Sequence, residues 1–269
     1  MKSAIDISLE SADQTVAQQR LSLQVRRALM CRFDAKLAIE FLVQATQGDI
    51  YICGGTLRRR IFNGQISSDV DIMIPNGDDR AFKALDALHI PFVLNSHRHR
   101  RYRWNYLEID IFHPRDFFGG FDEVYNALCF FDLKINSLAL HWRSNRIIDP
   151  YNILSKTPVT DPGINWPHWA LKYPQHVVIL AIRLAKVFHE VPSLTISPDD
   201  AQRLRTSVVP QIRDCNWNTV HQRFPLGKAA FLRMFETTVL DRILKIDQIE
   251  FRNHPHRQDE AKHACPAIS

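Results

Sequence analysis

The sequence predicts an α+β protein in which a mixed β-sheet with flanking helices is followed by a smaller all-helical domain. Short apolar strands alternate with helices between residues 50 and 148, whereas strand signals fade after Pro150. A Pro-rich stretch over residues 157–174 lies between these halves and predicts the domain boundary. We therefore predict a mixed domain over residues 1–156, a helical domain over residues 157–251 and a disordered, His-rich tail over residues 252–269.

Hydrophobic periodicity assigns the elements in order. Apolar residues at helical spacing over residues 21–30 and 35–46 predict an N-terminal pair of helices. In the second half, Pro174 begins a long helix with an apolar face, and Ser197 followed by Pro198 begins another. The elements predicted between these helices are a strand over 50–52, a helix over 57–62, strands over 70–74 and 92–94, a helix over 78–88, a strand pair over 101–112 that turns near Asn105, and a hairpin over 135–142 and 146–148.

Composition places the chain among globular proteins and excludes several classes. Its 269 residues are 45% hydrophobic, and no run of about 18 uncharged apolar residues predicts a membrane span. The five cysteines are widely separated and lack zinc-ligand spacing, so we expect reduced thiols and a cytoplasmic location. The net charge of +5 favours a polyanionic partner such as a nucleoside triphosphate or RNA.

Two consecutive glycines lie where the first predicted strand ends and a helix begins. Gly54 and Gly55 allow the backbone to approach a phosphate closely, and the helix start offers unpaired N–H groups. Arg58 could add charge-assisted hydrogen bonds to the same phosphate. A glycine pair by itself is more often an ordinary turn, so the interpretation depends on what lies beside it.

Paired acids follow on the next predicted strand. Asp69 and Asp71 are two residues apart, so both carboxylates project from one face of the strand. Such a pair suits Mg²⁺, for which Mn²⁺ could substitute, because hard cations bind carboxylates together with substrate phosphates. The alternative is the exposed polar face of an edge strand.

A second acidic pair follows in the segment LEIDIF. Glu108 and Asp110 alternate with apolar residues and therefore share a strand face. Like charges placed side by side need a cation, so two acidic strands in one domain favour a metal site. We choose Asp110 as the third catalytic acid because its shorter side chain has fewer free torsions, and we keep Glu108 as the alternative.

In their order along the chain, these segments resemble the nucleotidyltransferase head and neck of bacterial poly(A) polymerases and CCA-adding enzymes, within the DNA polymerase β-like superfamily. Residues 54–59 (GGTLRR) are similar to the family's Gly-Gly-x-Val-Arg-Asp, although Arg59 replaces the acid. Residues 130–139 resemble a second family segment and retain Asp132 and Asn136. Residues 180–188 resemble the family's Arg-Phe-Ala helix in the neck, and the resemblance spans about residues 50–208.

The resemblance implies a role for each matching residue. Asp69, Asp71 and Asp110 would be catalytic and would hold the metal ions. The residues implied in nucleotide binding are Gly54, Gly55, Arg58, Ser68, Asp132, Asn136 and Arg183.

Departures from the family concern the substrate. CCA-adding enzymes select bases with a Glu-Asp-x-x-Arg motif, whereas residues 173–177 here are YPQHV, so we expect no templated addition of C and A. We also expect the family's body and tail domains, which hold tRNA, to be absent. Basic and aromatic residues over 97–104 either contact RNA or form an ordinary exposed hairpin.

We therefore predict an Mg²⁺-dependent nucleotidyltransferase that moves a nucleoside monophosphate from NTP to an acceptor hydroxyl and releases pyrophosphate. An RNA 3′ end is the slightly preferred acceptor. The alternatives are a catalytically silent protein that binds RNA or nucleotide, and a toxin- or antitoxin-type nucleotidyltransferase that modifies a protein or small molecule. The sequence contains no signal for a protein partner.

Overall fold

The computed structural model describes residues 16–65, 69–95, 99–117, 120–155, 160–166, 174–214 and 227–246. The chain divides into two compact units, Met1–Val159 and Thr160–Ser269. The predicted tail over residues 252–269 lies outside the described residues. The first unit contains the mixed sheet, and the described part of the second is built mainly from helices.

In the first unit the helices and strands follow the predicted order. The predicted turn near Asn105 is confirmed, as is a turn at Asn145, and both residues adopt the left-handed backbone that Asn tolerates. The elements are α1 (Val16–Cys31), α2 (Phe33–Thr46), β1 (Tyr51–Cys53), α3 (Gly55–Asn63), β2 (Asp69–Met73), α4 (Arg80–Ala87), β3 (Phe92–Leu94), β4 (Arg100–Trp104), β5 (Leu107–Phe112), α5 (Val124–Cys129), β6 (Ala139–His141) and β7 (Arg146–Ile148).

All seven of these strands form one sheet in the order β3-β4-β5-β2-β1-β6-β7. The pairing of β2 with β5 is parallel, and every other pairing in this sheet is antiparallel. A parallel pair needs a long connection between its strands, and here α4, β3 and β4 provide it. The predicted fold class, a mixed sheet with flanking helices and a later helical region, is confirmed.

The sheet buries both faces to different extents. On one face, α1 to α4 cover the apolar residues of the central strands, among them Val70, Ile72, Ile109 and Ile111. On the other face, α5 covers a smaller apolar cluster at one end of the strands. The remaining part of that second face is where the acidic residues of β2 and β5 lie.

The hairpin predicted over residues 135–142 is shorter than expected. Only Ala139–His141 is a strand, because the chain first forms a 3₁₀ turn over Lys134–Asn136. The backbone amide of Asn136 donates to the Leu133 carbonyl and that of Ser137 to the Lys134 carbonyl. The apolar residues of this turn are still buried, so the sequence pattern alone resembled a strand.

In the second unit, α6 (Pro174–Glu190) presents the predicted apolar face to a core, and α7 (Pro198–Arg203) follows. The predicted cap of α7 is confirmed, because the Ser197 hydroxyl accepts a hydrogen bond from the Asp200 amide. Helices α8 (Val209–Asp214) and α9 (Gly227–Phe235) follow along the chain. Across the described residues, no helix combines the length and apolar character needed to cross a bilayer.

Candidate active site

Four carboxylates occupy one face of the sheet, and we call Asp69, Asp71, Glu108 and Asp110 the acid face. The parallel register of β2 and β5 places Asp69 opposite Glu108 and Asp71 opposite Asp110. Residues that are paired across a sheet project to the same side, so all four side chains share one volume. The residues between them lie in the core on the opposite side, which fixes this orientation.

The glycine turn lies directly against the acid face. Gly54 has φ +66°, and a Cβ atom placed there would lie 2.7 Å from Asp71 Oδ2, closer than a Cβ atom approaches a nonbonded oxygen. Glycine is therefore required at this position both for the backbone conformation and for the close contact. Helix α3 begins at Gly55, so its unpaired N–H groups lie beside the turn that contacts Asp71.

Arg101, on β4, forms hydrogen bonds with both carboxylates on the β5 side of the acid face, Asp110 and Glu108. Arg101 Nε donates to Asp110 Oδ1 at 2.7 Å, and Nη2 donates to Asp110 Oδ2 at 2.7 Å. Its third nitrogen, Nη1, donates to Glu108 Oε2 at 3.1 Å, and Asn95 Nδ2 donates to Asp110 Oδ2 at 3.1 Å. The hydrogen bond to Asp110 raises the pKa of Arg101. Both oxygens of Asp110, whose side chain is 9% exposed, are thus engaged within the protein.

A second arginine, Arg59 of α3, contacts Asp69 on the β2 side of the acid face, where the carboxylate is more exposed. Arg59 Nη1 lies 3.0 Å from Asp69 Oδ1, and the two side chains are 24% and 42% exposed. Ion pairs exposed to this degree contribute about 0–1 kcal/mol because water screens them and the long side chains lose entropy. The Asp69 carboxylate is therefore more accessible to a divalent cation than the Asp110 carboxylate, which is 9% exposed.

The carboxylate oxygens on the β2 side of the acid face, those of Asp69 and Asp71, fit a hard divalent cation. Asp69 and Asp71 supply oxygen ligands from one strand, and Mg²⁺ commonly uses one or two carboxylates together with substrate phosphates. Within the described residues, no group of three or more His, Cys, Asp and Glu side chains is arranged to hold a metal. The fit therefore concerns the two aspartates, whereas Asp110 is engaged by Arg101.

The residues assigned to nucleotide binding are partly brought together. Arg58 is buried at 6% exposure, and its Nη1 donates to the Asn136 side-chain oxygen. Asp132 is also buried, on the segment that leads into the turn containing Asn136. Arg58 thus packs against the glycine turn, since its guanidinium lies 3.8 Å from a Cβ atom placed at Gly55.

Two further assigned residues do not belong to the described part of the first unit. Arg183 is a partly buried residue of α6, in the second unit. Ser68 lies outside the described residues, so its role stays a prediction. Cys53, which pairs with Asp71 across β1 and β2, is fully buried, and burial followed by the Asp71 charge raises the pKa of its thiol. A buried thiol that stays protonated is a poor nucleophile.

Sequence analysis missed the arginines that balance the acid face. Arg101 and Arg103 alternate along β4 with the same period of two as the acids of β5, and the antiparallel register sets Arg101 opposite Asp110 and Arg103 opposite Glu108. The period of two was a usable signal. The sequence pattern does not show which face of β4 lies beside which face of β5, so it did not predict that the arginines of β4 pair with the acids of β5.

Comparison with solved structures identifies the fold. The structure of the Thermotoga maritima CCA-adding enzyme in complex with tRNA matches with a TM-score of 0.54 and 17% identity, over 86% of this chain and 55% of that one. A tRNA nucleotidyltransferase with a primer tRNA and an incoming ATP analogue matches with a TM-score of 0.52 and 15% identity, over 72% and 58% of the two chains. The chain has the polymerase-β-like nucleotidyltransferase fold.

The polymerase-β-like nucleotidyltransferase fold is recognised here from structure, since no family model and no curated protein matches the sequence. A CCA-adding enzyme in complex with CTP also has this fold, with a TM-score of 0.51 and 16% identity over 79% of this chain. The chain spans a little over half the length of these enzymes, and the match covers their head part.

Proposed function

We propose that the chain is a divalent-cation-dependent nucleotidyltransferase that transfers a nucleoside monophosphate from NTP to an acceptor hydroxyl and releases pyrophosphate. One observation supports this function above the others. The Gly54 turn, at the start of a helix, lies against the Asp71 carboxylate, which faces the same volume as Asp69. A phosphate-binding turn and a cation-binding acid pair are the two parts that nucleotidyl transfer needs in contact.

Each part of this arrangement has a proposed role. Asp69 and Asp71 would hold Mg²⁺ or Mn²⁺, which when bound would neutralise phosphate charge and favour ionisation of the attacking hydroxyl. The amides at the start of α3 would donate to the triphosphate, since a helix N-terminus favours anions. Arg58 and Asn136 would keep the turn in place through their buried hydrogen bond.

An RNA 3′ end is the acceptor that we favour. The chain has a net charge of +5, which attracts a polyanion, and two of the structures with the same fold contain tRNA. The NTP preference is left to experiment.

The test supplies each NTP separately, labelled at the α-phosphate, with Mg²⁺ and total RNA or cell lysate. We expect label from at least one NTP to be transferred to an acceptor. Gel electrophoresis separates labelled RNA from labelled protein, and thin-layer chromatography detects labelled small molecules. Asp71→Asn should abolish transfer because an amide keeps the shape but loses the charge that binds a hard cation. Asp122→Asn, an exposed change in the loop before α5, is the matched control and should leave transfer unchanged.

A catalytically silent protein that binds nucleotide or RNA is the second candidate, and one observation favours it. Arg59 and Arg101 already compensate charges of the acid face within the chain. If no NTP labels any acceptor while a nucleotide still binds with Gly54-dependent affinity, this second function replaces the first.

A further inference from the structure

The guanidinium of Arg101 lies where a metal ion would contact Asp110 and Glu108, the β5 side of the acid face. Its three nitrogens donate to Asp110 and Glu108, and the two contacts with Asp110 form a bidentate pair at 2.7 Å each. Bidentate arginine–carboxylate pairs are stronger and more directional than single ion pairs. Since a carboxylate has roughly four acceptor positions, Asp110 already uses most of them on Arg101 and Asn95.

The backbone fixes this pair from both sides. Arg101 and Asp110 are directly opposite in the antiparallel ladder of β4 and β5, so no loop movement separates them. On the far side of β4, Asn95 follows β3, and its side chain both donates to Asp110 and accepts from the His99 amide. A metal ion that bound Asp110 would have to break the bidentate pair and leave a half-buried guanidinium without its main partner.

We propose that Arg101 is a built-in counter-ion that excludes divalent cations from Asp110 and Glu108, so that such ions bind the chain through Asp69 and Asp71. The inference deepens the proposed function and rests on it for the identity of the cation. Arg101 acts through Asp110 and is therefore a positioning residue: it sets where on the acid face the cation binds. Asp110, which the sequence predicts as the third catalytic acid, then binds Arg101 in place of a metal ion.

The test measures Mn²⁺ binding to the purified full chain without nucleotide, from the electron paramagnetic resonance signal of free Mn²⁺. We expect Asp71→Asn to abolish binding to the otherwise unchanged chain and Asp110→Asn to leave it unchanged. We expect Arg101→Gln to gain an additional Mn²⁺, because two carboxylates then lack their counter-ion, and the double variant Arg101→Gln/Asp110→Asn to lose it again. Arg101→Lys keeps the positive charge and should exclude the additional ion.

Arg103→Gln is the matched control, because Arg103 lies on the same strand and face but has a single 3.5 Å contact with Glu108. It should gain no Mn²⁺. The inference is overturned if Asp110→Asn weakens Mn²⁺ binding by about tenfold or more, since a loss of that size already accompanies removal of a group that supports a metal site, or if Arg101→Gln binds no more Mn²⁺ than the unchanged chain. Should Arg101→Gln fail to fold, the Asp110→Asn comparison decides alone.

These outcomes separate the inference from the proposed function. If the unchanged chain binds no Mn²⁺ but Arg101→Gln gains it, the counter-ion role stands and the cation site at Asp69 and Asp71 fails. If Asp71→Asn abolishes Mn²⁺ binding and Asp110→Asn also weakens it, the cation site stands and the role of Arg101 fails.

Discussion

Single residues determine the packing and the charge balance of the acid face. Gly54 allows the turn to touch Asp71, Arg101 engages Asp110, and Arg59 makes an exposed contact with Asp69. The two ion pairs differ in burial and in the number of hydrogen bonds, so they differ in how easily a cation can replace the arginine. The chemistry of the face therefore depends on which carboxylates the chain itself has already neutralised.

The contact at Gly54 leads to the first prediction at this scale. Gly54→Ala should lower the rate of nucleotidyl transfer sharply, because the added Cβ would displace Asp71 Oδ2 from 2.7 Å and the positive φ strains alanine. The strain alone should cost about 1–3 kcal/mol of folding free energy, because φ +66° with ψ −137° lies outside the left-handed region that alanine can adopt. Transfer rates and urea unfolding of the same sample measure the two effects.

Gly64→Ala is the matched control for this prediction. Gly64 also has a positive φ, +71°, at the end of α3, but nothing lies within 4 Å of an added Cβ. Its left-handed backbone should cost alanine about 1–2 kcal/mol of stability, and the variant should keep its transfer rate per folded molecule. Equal loss of transfer in both variants would show that strain in α3, and not the contact with Asp71, is responsible.

At the scale of elements, the segment that joins β3 to β4 is tied to β5 beside the acid face. His99, just before β4, stacks on Phe112 of β5 with ring centroids 4.5 Å apart and also contacts Phe117. Burial lowers the pKa of His99, and the opposing influence of Asp116 and Asp110 is smaller. The imidazole is therefore held in its neutral form by the packing of these elements.

This packing predicts a pH dependence of stability. A histidine whose pKa is lower in the folded than in the unfolded chain stabilises the fold fully above the unfolded value of about 6.5, and this contribution is lost as the pH falls through the folded value. His99→Phe keeps an aromatic ring but cannot titrate. Relative to this variant, the unchanged chain should lose free energy of unfolding below pH ~6.5, by at most about 1.4 kcal/mol per pH unit.

Urea unfolding of both proteins between neutral and mildly acidic pH measures the difference. Parallel curves for the two proteins across that range would contradict the assignment of a depressed pKa to His99. The other buried histidines are unchanged between the two proteins, so their effects cancel.

At the scale of the whole chain, the acid face belongs to the first unit, and residues 174–177, part of the segment in place of the base-selecting motif, begin α6 in the second. Val177 stands where the resemblance places the arginine of that motif, and it is buried at 1% exposure on α6. An apolar side chain in a core has no hydrogen-bonding group for an incoming base.

We therefore predict that the chain adds no ordered C, C and A to a tRNA truncated before these nucleotides. Sequencing of the reacted tRNA ends provides the measurement, with the Thermotoga maritima CCA-adding enzyme as the positive control. Accurate CCA ends produced by this chain would contradict the prediction, whereas a different added tail would be consistent with it.

The sequence by itself determined the local parts of the site. The alternation of acids with apolar residues on β2 and β5 follows from the period of two of a strand, and the glycine pair marks a turn before a helix. The same local signals misassigned residues 135–138, because a buried 3₁₀ turn and a buried strand both require apolar residues.

Only the tertiary structure decided how these parts combine. The parallel register joined Asp71 to Asp110, although the two residues are 39 positions apart in the sequence and no local pattern specifies that pairing. The neighbouring β4 then set Arg101 against Asp110, so the residue predicted as the third metal ligand is also the partner of an arginine. Charge compensation depends on distances between side chains, and these distances exist only once the strands have paired.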